Sequence, residues 1–323
     1  MTYVDEWAAE NMQVPESILG PGPYRIERTP YAREPMRCLS HNHPSKRVVV
    51  MAATLTMKTQ IAINWVGSLV HTSPASILVL LPTRQWAARL RRRISKDFGA
   101  TPALRHCVSS VCDPRDRYVD GCSIHLVGAS SLAYQSFPAD YVYCEQIDNW
   151  PVDVEQNTDL LALAEACTDT SDRKSKLYFS GTPTVSGASK IESLFSESDQ
   201  RHYYVPCPHC RHMQTLEWEQ LQYTADFNAV HYRCGNSSCA SPITENHLSE
   251  MLTLGEWRSH SEGDGQTSGF HLNTLYSPSG LYGWAHLAEQ YEWAKKARDE
   301  GDASPMRMFY NCWLAKAWND TCR

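Results

Sequence analysis

The sequence predicts an α/β domain built on a largely parallel sheet. Five short apolar runs recur between residues 47 and 181, and each is bounded by turn residues. Apolar runs of this length are typical of strands that are covered on both faces. Helix-like stretches lie between several of them, and such alternation predicts parallel strand pairing. The runs are RVVVMAA (47–53), SILVLL (76–81), SIHLVGA (123–129), DYVYCE (140–145) and KLYFSG (176–181), and the helix-like stretches are 58–70, 84–98 and 157–167.

Length and composition indicate a folded chain with one sizeable core and a smaller unit. The chain has 323 residues, 42% of them hydrophobic and 20% charged, which is typical of globular domains. No apolar run reaches the roughly 18 residues that a membrane span needs. The N-terminus is acidic and polar, unlike a secretory signal, so a reducing cytoplasm is expected. The net charge of −6 argues against a globally basic nucleic-acid coat.

Changes in amino-acid composition along the chain divide it into four predicted segments. The Pro-rich start is expected to be an ordered lead-in rather than part of the core. Residues 257–269 are rich in Ser and Gly and are predicted to be a loop, and residues 281–318 are predicted to be helical. The segments are a lead-in (1–45), an α/β core (46–200), a cysteine-containing segment (201–245) and a linker with a helical end (246–323).

The first predicted strand leads into AATLTMKT (52–59), where a turn precedes Lys58, Thr59 and a helix. This order is that of a phosphate-binding loop, in which backbone N–H groups, a lysine and a hydroxyl hold phosphates and Mg²⁺. The consensus G-x-x-x-x-G-K-[ST] has two glycines, which Ala52 and Met57 replace here. Glycine before the lysine lets the backbone bend tightly. By pattern alone, an ordinary strand-to-helix connection explains this turn as well.

Two later strands end in polar residues. The run YVYC ends at Glu145-Gln146, where a Walker B strand carries an acid near Mg²⁺ and then a glutamate that polarises water. Glu145 can serve near Mg²⁺, whereas Gln146 can orient a water but cannot accept its proton. The run YFSGTPT (178–184) resembles a strand that senses the γ-phosphate. Taken alone, the first run is better explained as an ordinary core strand that ends in polar residues, and the second is unspecific.

Four of the twelve cysteines form two pairs, CPHC (Cys207, Cys210) and CGNSSC (Cys234, Cys239). Two such pairs about 23 residues apart, each in a turn next to strand-like sequence, are typical of a zinc ribbon with four thiolate ligands. Disulfides and reactive thiols are the alternatives, and the expected compartment disfavours disulfides. His209 and His212 are expected to be exposed rather than ligands.

The helix-like stretch at 84–98 is strongly basic. Its cationic residues are Arg84, Arg89, Arg91, Arg92, Arg93 and Lys96. A local basic surface and a solvated helix face are equally consistent with this pattern.

Taken in order, these motifs resemble the large subunit of tailed-phage terminases, in the branch typified by phage lambda. The similarity consists of long strings that together span about residues 20–318. The string through 177–210 is the most specific, because it joins the third strand motif directly to the first cysteine pair. The strings are GPYRIERTPYAREPM (22–36), VVVMAATLTMKTQIAINWVG (48–67), LVLLPTRQWAAR (78–89), LVGASSLAYQSFPADYVYCEQIDNWP (126–151), LYFSGTPTVSGASKIESLFSESDQRHYYVPCPHC (177–210) and SGFHLNTLYSP (268–278).

This resemblance implies a RecA-like P-loop ATPase core with a zinc-ribbon-like insertion and a helical C-terminal segment. It implies ATP, Mg²⁺ held through Thr59 and Glu145, and a structural Zn²⁺. It places Gln146 at the position of the attacking-water glutamate and Ser180 to Thr182 at the coupling motif. The predicted nucleotide-contacting residues are Thr54, Leu55, Thr56, Met57, Lys58 and Thr59 in the loop, with Tyr24 and Tyr31 on the adenine side, where a purely structural lead-in is the alternative.

Terminases of this family package double-stranded DNA, so the implied partners are DNA, a small terminase subunit, a capsid portal and further copies of the chain. The implied location is the cytoplasm of a bacterial host, with no membrane. The family's Gly-Lys, Asp-Glu and preceding arginine are replaced here at Met57-Lys58, Glu145-Gln146 and residues 134–137. The nuclease domain is expected to be missing. Two functions follow as hypotheses: an ATPase motor module, or a catalytically weak relative that binds DNA or capsid.

Overall fold

A computed structural model provides the three-dimensional structure of the chain. The described residues are 2–16, 20–108, 118–119, 122–130, 137–151, 159–168, 175–239, 241–278 and 281–319. Within them, no helix is both long and apolar enough to cross a membrane.

A ten-stranded sheet forms the centre of the molecule. Its order is β10–β9–β14–β3–β8–β7–β4–β6–β5, and β13 pairs with β9 beside this path. Pairing is parallel from β9 through to β6 and antiparallel at both margins. The strands are β3 (Arg47–Ala52), β4 (Ser76–Leu81), β5 (Tyr118–Val119), β6 (Cys122–Gly128), β7 (Tyr141–Glu145), β8 (Lys176–Gly181), β9 (Arg201–Pro206), β10 (Met213–Gln214), β13 (Glu256–Arg258) and β14 (Thr267–Leu272). The prediction of a mostly parallel α/β domain is confirmed.

Two small antiparallel hairpins lie outside this sheet, β1 (Gln13–Val14) with β2 (Gly22–Pro23) and β11 (Leu221–Tyr223) with β12 (Val230–Tyr232). The helices among the described residues are α1 (Val4–Asn11), α2 (Arg33–Cys38), α3 (Lys58–Thr72), α4 (Arg84–Ala100), α5 (Leu160–Ala166), α6 (Lys190–Ser196), α7 (Leu248–Thr253), α8 (Trp284–Asp299) and α9 (Ser304–Met308), which continues as a π-helical turn (Phe309–Trp313). The predicted C-terminal helical segment is confirmed by α8 and α9.

The order of the three middle strands decides which loops meet. Strand β8 lies between β3 and β7 and pairs in parallel with both. In this register Met51 of β3 is opposite Gly181, and Glu145 of β7 is opposite Ser180. Because parallel strands end at the same edge of a sheet, the segments that follow β3, β7 and β8 lie side by side.

The lead-in is part of the core, which corrects the expectation from sequence. Trp7, Met12 and Met36 are all buried, and α1 and α2 pack against α3. A Cβ added to Gly67 of α3 would lie 2.9 Å from the Trp7 ring, so glycine here allows close packing. The Pro-rich composition concealed this role, because a few large side chains, rather than a periodic pattern, bury the segment.

The core also extends beyond residue 200. Strand β14 lies in the interior of the sheet, between β3 and β9, although its sequence TSGFHL falls partly within the predicted loop. A Cβ at Gly269 would lie 1.8 Å from the Ser198 hydroxyl, so small residues are needed where the preceding turn packs on the strand. Tertiary packing therefore overrides a weak strand signal.

Candidate functional site

The segment between β3 and α3 has the backbone of a tight loop although it lacks glycine. Leu55 and Met57 have positive φ angles of 62° and 70°. Met57 is in the left-handed region immediately before the first helical residue. A non-glycine residue in this region costs on the order of 1 kcal/mol or more. The chain thus adopts the bend that the consensus glycine would supply and carries the strain in Met57.

Lys58 is buried at the N-terminus of α3, directly beneath the loop. Its ammonium group donates to the carbonyl oxygen of Ala52 at 2.6 Å and to that of Ala53. Burial lowers the pKa of Lys58 to about 8, and the nearby Glu145 carboxylate opposes this change. An ammonium group has three protons, so one remains for an anion above the loop. The N-terminus of α3 adds unpaired N–H groups at the same place.

Thr59 and Glu145 link the loop to the end of β7. The Thr59 hydroxyl donates to Oε1 of Glu145 at 2.6 Å. Burial raises the pKa of the Glu145 carboxyl, while the Thr59 hydrogen bond and the Lys58 charge lower it. A hydroxyl and a carboxylate in contact are hard oxygen ligands of the kind that Mg²⁺ takes beside phosphate oxygens and water. These two residues therefore fit the predicted Mg²⁺ role.

Gln146 lies between Glu145 and the end of β8. Its backbone N–H donates to the Ser180 carbonyl oxygen at 2.6 Å. Its side-chain oxygen accepts from the Thr182 N–H and hydroxyl, at 3.3 and 3.4 Å. The Ser180 hydroxyl is within 3.1 Å of the Tyr143 hydroxyl and is fully buried. The structure thus brings together Glu145, Gln146, Ser180 and Thr182, the residues to which the family resemblance assigns catalytic and coupling roles.

Asp148 is a further residue of this network, and the sequence reasoning missed it. Its carboxylate accepts from the Thr184 N–H and hydroxyl at 3.0 and 2.8 Å and from the Ile191 N–H at 2.9 Å. It therefore ties the end of β7 to the segment after β8. The one available signal was an acid two residues after Gln146, which does not by itself predict a partner 36 residues away.

A cavity of about 630 Å³ opens beside the loop. The loop and α3 form one wall, the lead-in forms a second, and α4 forms a third. Among the described residues, seven cationic and three acidic ones line it, so the cavity is suited to a polyanion. The cationic residues are Arg25, Arg28, Lys58, Arg89, Arg92, Arg93 and Lys96; the acidic ones are Glu16, Asp97 and Glu145.

The two lead-in tyrosines have different surroundings. Tyr24 is buried and lines the cavity, beside Pro23 and Val14. Tyr31 is buried elsewhere, with its ring edge-on to Tyr203 at 6.0 Å between centroids. It is not among the residues that line the cavity. The placement of Tyr24 agrees with the predicted adenine side, whereas that of Tyr31 agrees with the structural alternative.

The basic helix α4 contributes more to the cavity than either sequence alternative anticipated. Arg89, Arg92, Arg93 and Lys96 repeat at helical spacing and line the cavity, while the opposite, apolar face of α4 is buried. The Arg93 guanidinium donates to the side-chain oxygen of Gln60, in the first turn of α3, at 2.7 Å. The i, i+3, i+4, i+7 spacing of the four cations was the signal for a shared face. The sequence alone did not show that this cationic face of α4 lies against a cavity.

The four cysteines of the two pairs converge in the segment that follows β9. Their Sγ atoms all lie within 4.8 Å of one another, with 3.9 Å between Cys207 and Cys239 and 3.7 Å between Cys210 and Cys234. A tetrahedral zinc with Zn–S bonds of about 2.3 Å places its sulfurs roughly 3.8 Å apart. The donor set and its spacing therefore fit zinc. His209 and His212 are exposed, as predicted.

The arrangement defines a class: a parallel α/β domain with a lysine-bearing loop and a cationic cavity at the carboxyl edge of its sheet. A family model described as phage terminase large subunit gpA, ATPase domain, matches residues 19–257. This match covers more than half of the chain, and the chain belongs to this terminase family.

The terminase large subunit of Enterobacteria phage P21 is 24% identical over 226 residues, which cover 60% of this chain and 33% of that protein. The chain thus spans about a third of the length of the curated relative it matches. The HK97 bacteriophage large terminase has a similar fold, with a TM-score of 0.57 and 10% identity over 98% of this chain and 55% of that one. A mutant ATPase domain of the Thermus phage P74-26 large terminase gives a TM-score of 0.47 at 12% identity, covering 93% of this chain and 96% of that one.

One expectation is overturned by these matches. A second family model, the endonuclease domain of the terminase large subunit gpA, matches residues 267–323. The prediction that the chain carries nothing of the nuclease is therefore wrong. The match begins at Thr267, the first residue of β14, which lies within the central sheet. Helical patterning from residue 281 onwards could not separate a linker from the start of a further domain.

Proposed function

We propose that the chain binds Mg²⁺·ATP in the cavity between the loop, the lead-in and α4, and serves as the ATPase module of a motor that packages double-stranded viral DNA. The observation that carries the proposal is the contact between Thr59 and Glu145 beside the buried Lys58. A hydroxyl, an acid and a lysine from two distant segments meet at one helix N-terminus, which is the arrangement that Mg²⁺-bound polyphosphate requires. Family membership supports ATP as the nucleotide.

Each residue of the site has a separable task in this proposal. Lys58 and the N–H groups of the loop bind phosphate oxygens, and the side chains of Thr59 and Glu145 hold Mg²⁺. The Mg²⁺ ion, when bound, neutralises charge on the phosphates. Gln146 orients the attacking water with its amide group. Because an amide cannot take the proton of that water, hydrolysis is expected to be slow.

The coupling role proposed for Ser180 and Thr182 is supported by hydrogen bonds that join them to Gln146. If Gln146 moved on nucleotide binding, these hydrogen bonds would move the segment after β8 with it. Asp148 would transmit this movement further, to Thr184 and the N-terminus of α6. The placement of β8 between β3 and β7 supports a RecA-like core.

The same amide favours a second candidate function, in which the chain binds nucleotide without effective turnover and acts as a DNA- or capsid-binding subunit. Gln146 is the specific observation for it. Met57 contributes less than the sequence indicated, since its backbone adopts the glycine-like bend. The role of Gln146 therefore distinguishes the two candidate functions, and the rate of ATP hydrolysis is the quantity that separates them.

A steady-state ATPase assay with and without DNA, paired with a nucleotide-binding titration, tests both candidates. The proposal expects Mg²⁺-dependent binding that Lys58→Ala abolishes, with turnover well below 1 s⁻¹, a typical enzyme rate. Turnover at or above about 1 s⁻¹ in the unmodified chain would refute weakened hydrolysis. Absence of any nucleotide binding would refute the ATPase assignment itself and leave the non-enzymatic subunit.

The remaining parts of the proposal follow from the family and the cysteine cluster. Zn²⁺ bound by Cys207, Cys210, Cys234 and Cys239 would have a structural role, because four thiolates leave no open coordination position. A small terminase subunit, a capsid portal and further copies of this chain are the proposed partners. The proposed setting is the cytoplasm of the bacterial host during infection.

A further inference from the structure

The loop before α3 lacks glycine, so its bend has to be held by contacts rather than by intrinsic preference. Leu55 and Met57 are both in the left-handed region, with φ angles of 62° and 70°. Non-glycine residues persist in this region only where the surrounding structure fixes them. Within the loop, the Thr56 hydroxyl donates to the Ala53 carbonyl oxygen at 2.6 Å, and the Lys58 ammonium group donates to the same oxygen. Both bonds end at the start of the loop, so its tip depends on contacts from elsewhere.

Two consecutive N–H groups of the loop are bonded to distant segments. The Ala53 N–H donates to the Leu272 carbonyl oxygen at 2.8 Å, and the Thr54 N–H donates to that of Cys312 at 2.8 Å. Leu272 ends β14, while Cys312 lies in the π-helical turn that follows α9. Both acceptors belong to the part of the chain that the endonuclease-domain model matches, residues 267–323. These two anchors of the loop therefore lie beyond the residues that the ATPase-domain model matches.

The clasp, which we define as residues 309–318, is itself fixed to the core. The Ala315 carbonyl oxygen accepts from Nε2 of His271 at 3.1 Å. The Trp318 N–H donates to the Thr184 carbonyl oxygen at 2.7 Å, and the Trp318 side chain is buried. The clasp begins as a π-helical turn, a rare structure that is frequent at functional sites. Because the last carbonyl groups of a helix have no partner within it, this turn has an acceptor to offer to the loop.

The clasp holds the loop from outside the cavity. Thr54, Leu55 and Met57 line the cavity, whereas within the described part of the chain no residue of the clasp does so. Burial raises the pKa of the Cys312 thiol, and the Thr54 hydroxyl and the Lys58 charge oppose this change, which places the thiol close to both groups. Contact from this position fixes the bend and leaves the space for phosphate open.

We infer that the clasp is a positioning segment for nucleotide binding, in which the Cys312 carbonyl group holds the glycine-free loop, through Thr54, in the bend that binds phosphate. This inference rests on the proposed function and adds to it the part of the chain that fixes the loop. In a loop of the consensus sequence, glycine adopts the left-handed conformation at no steric cost. Here a contact from a distant segment replaces that intrinsic preference. A hydrogen bond and the strain of one left-handed residue are of the same order, so one such contact is enough to offset much of the strain.

A reversible cross-link tests whether the clasp stays on the loop while nucleotide is bound. Thr54→Cys places a thiol beside that of Cys312, and mild oxidation joins the two, which mass analysis of the linked peptide verifies. Mg²⁺·ATP is then titrated by calorimetry before and after reduction. We expect the two forms to bind with affinities within about threefold of each other, because the clasp does not have to leave. Loss of binding on cross-linking, recovered on reduction, would overturn the inference. The unmodified chain, oxidised in the same way, controls for reaction at the other cysteines.

Loosening the clasp at its far end tests whether the loop depends on it. Trp318→Ala removes the buried side chain beside the bond to Thr184, and Mg²⁺·ATP affinity is expected to fall roughly 3- to 10-fold, the equivalent of about one hydrogen bond. Oxidation of the chain that carries both Thr54→Cys and Trp318→Ala should restore the affinity, because the disulfide replaces the lost anchorage. A loss that the cross-link does not reverse would mean that Trp318 is merely structural, and would overturn the inference. His271→Phe, which removes the bond to Ala315, serves as the second variant if Trp318→Ala does not fold.

Restoring the glycine provides an independent rescue. In a Met57→Gly chain the bend needs no outside support, so Trp318→Ala should weaken Mg²⁺·ATP binding by less than about twofold. An equal loss in both backgrounds would contradict the inference. Trp293→Ala is the matched control, because Trp293 is exposed on α8 and lies outside the clasp. It should leave the affinity in both backgrounds within about twofold of its starting value.

The failure of the inference and the failure of the proposed function give different results. Absence of Mg²⁺·ATP binding by the unmodified chain would refute the proposed function, and the inference with it. Binding by the unmodified chain that neither Trp318→Ala nor His271→Phe weakens would refute the inference alone.

Discussion

The cysteine cluster and the cationic cavity differ in how their parts are brought together. The cluster is built from two short turns, and the residues of each pair are at most five positions apart. The cavity joins the lead-in, the loop before α3, α4 and the end of β7, which span more than 120 residues. Two short turns therefore supply the whole cysteine cluster. The cavity exists only once the sheet has formed.

The two regions also differ in what makes them stable. With the proposed zinc bound, the converging thiols would gain stability from the metal, because binding and local folding are coupled. The cavity has instead a strained backbone at Met57, a buried ammonium group at Lys58 and a buried acid at Glu145. Such features cost free energy in the ligand-free chain and persist because the surrounding core holds them. The cavity therefore retains strained and buried charged groups that suit ligand binding but lower the stability of the ligand-free chain.

The largest expected effect concerns the cluster. About one Zn²⁺ per chain is expected by metal analysis, and Cys234→Ser should abolish it. Because binding in small zinc domains is worth on the order of 10 kcal/mol, the variant should lower the melting temperature strongly and expose 207–239 to proteolysis. Cys167→Ser, a buried cysteine outside the cluster, should retain the metal. If the metal-free chain were as stable as the zinc-bound chain, the cluster would not depend on metal for its stability.

The next largest effect is expected when the amide of Gln146 is replaced by a carboxylate that can act as a general base. Gln146→Glu should raise ATP turnover by about 10²- to 10⁴-fold, the usual contribution of a positioned general base. The new carboxylate keeps the shape that accepts from Thr182, so the geometry is retained. Gln146→Ala should not accelerate turnover. If Gln146→Glu is no faster than the unmodified chain in single-turnover assays, another step limits hydrolysis and the role of Gln146 is refuted.

A smaller effect is expected from the buried lysine. Its pKa is lowered to about 8, so the ligand-free chain loses the Lys58 charge above that pH, and ATP affinity should fall by up to tenfold per pH unit. Stability should change in the opposite sense. Between pH 8 and about 10.5 the unfolded chain binds more protons at Lys58 than the folded chain, so this residue's contribution to the free energy of unfolding rises with pH.

The stability slope is measured as the difference between the unmodified chain and Lys58→Met, which removes the contributions of other titrating groups. Calorimetric titrations give the affinity of the unmodified chain, and urea unfolding between pH 7 and 9.5 gives the stability of both. Equal slopes for the two chains in urea would show that Lys58 titrates normally. That result would remove one of the three costs assigned to the cavity.

The smallest effect tests the strained loop. Met57→Gly and Met57→Ala both remove the side chain, but only alanine retains the penalty for a positive φ. The glycine variant should therefore be more stable than the alanine variant by about 1 kcal/mol, although glycine elsewhere is usually the less stable of the two. Urea unfolding of both variants measures it. The reverse order would mean that Met57 is not in the left-handed region.

Sequence reasoning was most successful where one segment decides the outcome. The strands β3, β4, β6, β7 and β8, the basic face of α4 and the four cysteines were all apparent in local patterns, and the structure confirms these strands. It failed at β14, where Gly269 and neighbouring small residues weaken the strand signal, and in the lead-in, where Trp7 packs against Gly67 from 60 residues away. Residues 134–136, which belong to the segment expected to replace the family's arginine, lie outside the described part of the chain.

The sequence by itself determined the fold class, the position of Lys58-Thr59 after a strand, and the pairing of the cysteines in two turns. These follow from hydrophobic periodicity and short spacings, which act through the nearest few residues. Only the tertiary structure decided that α4 and the lead-in enclose a cationic cavity. It also decided that the Met57 backbone bends like glycine. Those properties depend on which distant segments exclude water from one another, and periodicity does not encode that.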